Sequence, residues 1–391
     1  MRTTKLKTTP YSPTAQTPLL ERMGVRYFKL LSRGRVVQNR DGAVHLLSDE
    51  ERVDLRRVHR NVVIRAAIAG AVSTLVSSTA ESLVTPKDGQ AGSAVLFWGV
   101  VGGATAVASL FEILFLYWDG LRSVHALSVA AGLDLFAGGE SQAVAHAMAR
   151  AALELPNPQG TLLGVDPHRE ASKTRLVIVS IVYKLKVSVT NFLVKMLVGQ
   201  VLGRAMVRTW LVLPFVPVPL TALWDAIVCH IIMREARIRA MGSAAAVEMV
   251  ETLFRMTPAT SEEQELTTVR AVAATIVRTE DLHPNIVAVM EVVRREAGEL
   301  EAYGDDDAPL DDTASFLRAL AALPPGERPL VMRVLAVAAI VDGRMTGAEQ
   351  RLWQQAQTAA GIVPDLVPLR ALMKAFVHGD RVPEAVLRNL A

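Results

Sequence analysis

The sequence predicts an all-α protein in which two membrane-associated helical hairpins precede a cytoplasmic helical bundle. Three observations lead there. Hydrophobic residues make up 51% of the 391-residue chain and charged residues only 21%, with a mean hydropathy of +0.28. A water-soluble fold cannot expose that much apolar surface in contiguous patches without aggregating. The apolar excess is gathered in segments near the length of a bilayer crossing, and the rest of the chain carries helical periodicity.

The elements follow in chain order. Residues 1–47 begin as "MRTTKLKTTPYSPTAQTP", basic and polar with no apolar stretch behind, unlike a secretory signal peptide. They are expected to form a largely disordered tail. Residues 48–60, "SDEERVDLRRVHR", predict a capped amphipathic helix with Ser48 as N-cap and Glu51 as capping-box partner. Ala66–Ala80 carries no charge, and Ala91–Tyr117 carries only Glu112. Joined by the turn-like "TPKDGQ", they predict a first hairpin over about 62–118. Gly99 and Gly103, four apart, suit close helix packing.

Residues 120–175 predict an amphipathic linker broken by the loop "PNPQGTLLGVDPHRE". Its histidines, His125, His146 and His168, lack ligand spacing and are expected to serve ordinary packing. A second hairpin is predicted over about 176–240, completing a membrane domain at 48–242. Its first arm sets Lys184, Ser188, Asn191, Lys195 and Gly199 on one helical stripe. Lys184, Asn191 and Lys195 are thus a candidate polar seam, either lining a path or snorkelling to headgroups. Pro214, Pro217 and Pro219 disfavour a regular helix, so "PFVPVP" reads as a turn. Arg208 and Asp225, six residues to either side, would then lie at similar depth as a candidate ion pair. The basic "REARIRA" closes the hairpin. By the positive-inside rule both termini are expected in the cytoplasm, at a cytoplasmic membrane.

Residues 243–391 read as soluble helices, with Ser261 as a candidate cap. The acidic "GDDDAPLDD" lacks the alternation and terminal Glu of a calcium loop and reads as a solvated linker. The single Cys229 excludes an intramolecular disulfide and a cysteine-rich zinc site. Neither a P-loop, a nucleophile elbow nor an HExxH motif occurs, and no basic patch is interleaved with aromatics. Enzymatic activity is therefore not the first expectation, and nucleic acid is not an expected partner.

"AAIVDGRMTGAEQRLWQQAQTAAGI", residues 338–362, resembles the tellurite-resistance TerB-like helical domains. Asp342, Gly343 and Glu349 match the Asp-Gly and following Glu of their helical pairs. "AFVHGDRVPEAVLRNL" is a weaker echo, with Gly379 retained and His378 in the aspartate's place. The resemblance implies Asp342 and Glu349 as ligands of a divalent metal; helix termination by Gly343 and an N-terminal role for Glu349 are the structural alternative. Residues 45–242, through "ARAALELPNP", "YKLKVSVTNFLVK" and "MREARIRAMG", resemble an uncharacterised family of bacterial multi-helix membrane proteins, with an EcsC-like hairpin. Together these imply an inner-membrane protein for envelope or stress-associated sensing or scaffolding, with the lipid bilayer and a protein partner or second copy as partners. An oligomeric channel or transporter using the lysine seam is the alternative.

Overall fold

The computed structural model describes residues 18–33, 49–84, 91–131, 135–136, 139–157, 161, 163–170, 215, 217–257, 260–297, 309–380 and 382–390. The regular elements among these residues are all helices, with no strand among them. Helices α1 (Leu19–Ser32), α2 (Asp49–Leu83), α3 (Ala91–Ala130) and α4 (Gly139–Ala152) precede the long α5 (Pro217–Arg255). The C-terminal bundle adds α6 (Glu262–Thr279), α7 (Pro284–Glu296), α8 (Thr313–Ala322), α9 (Arg328–Ile340), α10 (Gly347–Ala359), α11 (Val367–His378) and α12 (Glu384–Arg388).

Helices α2 and α3 form the predicted antiparallel hairpin, and both are long and apolar enough to cross a membrane. At 1.5 Å per residue, α2 extends about 50 Å, longer than a hydrocarbon core of about 30 Å. Its charged first turns therefore project beyond the apolar part. Helix α5 packs against both arms and makes a third member of this bundle. It begins at Pro217, so Pro217 and Pro219 occupy its first turn rather than the expected turn before it. Proline is tolerated there because first-turn amides have no intrahelical partner in any case.

Two hydrophobic cores meet on α5. The first gathers Phe28, Val62, Val124, Met148, Cys229, Met233 and Met241. The second starts at Ile238 and Ala245 and continues through Val272, Ile286, Val334, Trp353 and Phe376. The helix crosses residue 242, the expected domain end, without a break. One rigid element thus changes core within about two turns.

The expected disordered tail, 1–47, contains a folded helix. In α1, Phe28 is fully buried and Glu21 is wholly shielded from solvent. Glu21 accepts a hydrogen bond from His146 at 2.8 Å and pairs with Arg150 at 2.9 Å. Burial alone would raise the Glu21 pKa, but the His146 hydrogen bond and Arg150 outweigh it and hold the carboxyl below its ordinary range. The end of the expected linker also belongs elsewhere. Val165 lies in the C-terminal core, and the Asp166 amide donates to Asp311 at 3.1 Å. Arg169 pairs with Asp311 as well. Asp312, from the same acidic run, caps α8 by accepting from the amides of Ala314 and Ser315, each at 3.2 Å.

Candidate functional site

The three-helix bundle has inverted polarity. On α3, Val107, Leu110, Phe111, Leu114 and Trp118 face outward, while Glu112, Asp119 and Ser123 are buried. Phe111 is 69% exposed and its neighbour Glu112 only 3%. On α2, Ile64, Ile68, Val72, Leu75 and Val76 are exposed, and Gly70, Ser73, Thr74 and Ser78 face inward. The first half of α5 repeats the pattern: Leu220, Leu223, Ile227 and Ile231 outside, Thr221, Asp225 and Cys229 inside. Water-soluble bundles show the reverse arrangement.

Inside, polar groups meet at defined places. Arg65 of α2 holds Asp119 of α3, with Nε 3.0 Å from both carboxylate oxygens, and reaches Ser123 at 3.1 Å. Asp225 lies directly against Gly70, where a side chain on residue 70 would run into its carboxylate. Gly70 is thus the glycine that permits close packing, here of α2 on α5. Gly99 and Gly103, expected in that role, have no neighbour within contact range of a Cβ among the described residues. They lie on the outer side of α3.

A second polar centre joins α5 to the C-terminal bundle. Glu235 pairs with Arg239 at 3.0 Å, His283 at 3.2 Å and Arg344 at 2.9 Å. His283 Nδ1 accepts from the Asn285 amide at 3.3 Å, which leaves the proton on Nε2 to donate to Glu235. Burial by itself would raise the Glu235 pKa. The His283 hydrogen bond and the Arg239 and Arg344 charges outweigh it and hold the carboxyl far below its ordinary range.

The cluster "REARIRA" is spent on this contact. Arg234 donates to the Gly343 carbonyl at 2.7 Å, and Arg237 donates to the Val377 carbonyl. From α2, Arg52 reaches the Gly379 carbonyl at 3.0 Å and Asp380 at 2.9 Å. Both glycines are left-handed, with φ of +69° at Gly343 and +72° at Gly379. They terminate α9 and α11, whose C-terminal carbonyls carry the negative end of the helix dipole. Cationic side chains from α2 and α5 therefore cap two C-termini of the other bundle.

Asp342 and Glu349 stand beside this contact. Asp342 accepts from the Arg344 amide at 2.9 Å. Glu349 forms a capping box, accepting from the Thr346 amide at 2.7 Å while its own amide donates to the Thr346 hydroxyl at 3.2 Å. Burial raises both acids, and the Asp342 charge helps push Glu349 up to about 8. The other Glu349 oxygen is buried without a hydrogen-bond partner, which suits a protonated carboxyl. These two side chains by themselves fall short of a zinc or calcium ligand set. One oxygen of each already serves the backbone, and no group of three or more His, Cys, Asp and Glu gathers among the described residues. Zinc takes four ligands and calcium six to eight.

No family model matches the chain, and no curated protein or solved structure matches it either.

Of the predicted site residues, the structure brings Asp342 and Glu349 together and buries Asp225 against α2. Lys184, Asn191, Lys195 and Arg208 lie outside the described residues, as does Ser48. Ser261 caps α6, its hydroxyl accepting from the Gln264 amide at 3.2 Å. Sequence reasoning missed the Glu235 centre and the arginine caps, because these link positions about fifty to more than three hundred apart. It also missed the capping box, although Thr346 followed three residues later by Glu349 is a local signature.

Proposed function

We propose that this chain is a scaffold or sensor of a bacterial cytoplasmic membrane. In this reading α2, α3 and the first half of α5 are lodged in the bilayer, and the TerB-like C-terminal bundle holds a protein partner on the cytoplasmic side, where both termini lie. One observation carries the reading: outward apolar and inward polar residues on α2, α3 and the start of α5, with α5 continuing into the core of the second bundle. Buried polar groups under an apolar exterior are the arrangement that lipid favours. The arginine caps support a tightly docked second bundle, so a partner captured there would be felt at the membrane helices.

Alkaline carbonate extraction of cell membranes tests the reading. Retention in the pellet, together with labelling of a cysteine at 87 but not at 160 by an impermeant reagent from outside, is the expected result. Release into the supernatant would remove the membrane reading altogether.

A further inference from the structure

The outer cleft between α2 and α3 has two connected parts of different chemistry. The first is a groove of about 520 Å³ walled by Ile68, Val72, Val107, Phe111 and Phe115, with the acidic Glu112 also in its lining. The second, of about 420 Å³, contains Asn61, Arg65, Trp118, Asp119, Arg122 and Ser123. Arg65 and Phe115 line both. Each volume falls within the range of about 300–1,000 Å³ usual for small-molecule sites.

Charge and depth agree on an occupant. Two guanidinium groups against the Asp119 carboxylate leave the polar end with one net positive charge. Arg65 is fixed by Asp119 and Ser123, and the Arg122 guanidinium lies 5.5 Å from the Trp118 ring centroid. The polar end also stands where the apolar runs of both helices give way to charge, at Arg65 on α2 and Asp119 on α3. Trp118 at that level is the position of an interfacial aromatic, and preformed arginines suit a phosphate diester.

We propose that this cleft is a binding site for an anionic phospholipid, with one acyl chain along the groove and the phosphate between Arg65 and Arg122. The site rests on the membrane reading above and adds headgroup selectivity to it. Basic pockets between membrane helices on the cytoplasmic side recognise anionic headgroups through the same chemistry.

The test uses the full chain, delipidated in neutral detergent, with native mass spectrometry after adding dioleoyl phosphatidylglycerol or dioleoyl phosphatidylcholine. Roughly tenfold stronger retention of phosphatidylglycerol is expected, because choline's ammonium cancels the phosphate charge and is repelled by the net positive end of the cleft. Arg122→Gln should bring it down to the choline lipid's level. Ala104→Trp, which fills the groove and leaves both arginines in place, should weaken both lipids. Arg65 stays unchanged, because its loss would strand the buried Asp119. Equal retention of the two lipids by the wild type, with the protein still carbonate-resistant, overturns the site and leaves the membrane reading standing. A preference that survives in both variants overturns it too. So does Ala104→Trp altering only the oligomeric mass, which would assign the groove to a second copy. Release by carbonate would instead remove the reading beneath.

Discussion

Arg234 of α5 donates to the carbonyl of Gly343, 109 residues away, at 2.7 Å. That contact joins a basic cluster midway along α5, where its apolar half ends, to the C-terminal end of a helix in another core. A hydrogen bond from a charged donor contributes about 1.5–3 kcal/mol. Arg234→Ala is expected to lower stability by about 1–3 kcal/mol and to speed proteolytic release of the C-terminal bundle, both readable by urea melts and timed trypsin digestion. Unchanged digestion would argue that the two bundles are held by apolar contact alone.

Gly343→Ala is expected to be worse than a simple glycine replacement. The left-handed backbone costs a side chain about 1–2 kcal/mol. A Cβ there would also meet the Ile238 side chain of α5. Ile238→Val combined with Gly343→Ala should recover part of the loss, which a double-mutant cycle on thermal melts would measure.

The glycines of the hairpin are expected to divide by position. Gly70→Ala pushes a methyl group into Asp225 and should cost about 1–3 kcal/mol, as overpacked sites do. Gly99→Ala and Gly103→Ala meet nothing among the described residues and should stabilise α3 by about 0.5–1 kcal/mol through helix propensity. Thermal melts in detergent separate the two cases.

Glu349 sets an alkaline limb. Its pKa rises from an ordinary 4.5 to about 8 on folding, so its contribution is complete below about 4.5 and is lost as pH rises through about 8. Stability should therefore fall between those values. Glu349→Gln keeps the capping-box acceptor and should flatten the fall. Asp342, raised in the same direction, would leave some of it.

Glu235 works at the acid end. Its folded pKa is depressed, so its contribution is present above the ordinary 4.5 and is lost as pH falls towards the folded value. Glu235→Gln should make the acid limb shallower. Glu235→Ala should cost about 3 kcal/mol near neutrality, because it leaves Arg239 buried without its anion and the His283 Nε2–H without its acceptor. That figure is the low end for a broken buried pair, since Arg344 is 56% exposed.

The elements legible in the sequence were those with a local cause. The α2–α3 hairpin follows from uncharged length, the start of α6 from the Ser261 cap, and the α9 terminus from Gly343. What escaped reading is non-local. Helix α1 is overshadowed by the basic composition before it, and its decisive residue, Glu21, has meaning only beside His146 and Arg150 on α4. "REARIRA" looked like a membrane-flanking charge cluster, yet Arg234 and Arg237 face carbonyls of the C-terminal bundle. Spacing alone also suggested Gly99 and Gly103 as the packing glycines. Only the fold shows that Gly70, opposite a buried carboxylate, has that place.

The central claim is that α5 leaves lipid and enters a water-surrounded core without a break. Spin labels at positions 220, 223, 227, 231, 248 and 255, in a Cys229→Ala background reconstituted in vesicles, test it most directly. All six native residues are exposed. Labels at 220, 223, 227 and 231 should relax with oxygen and be shielded from a polar nickel chelate, and those at 248 and 255 should show the opposite. Full access of the chelate to all six positions would contradict the account.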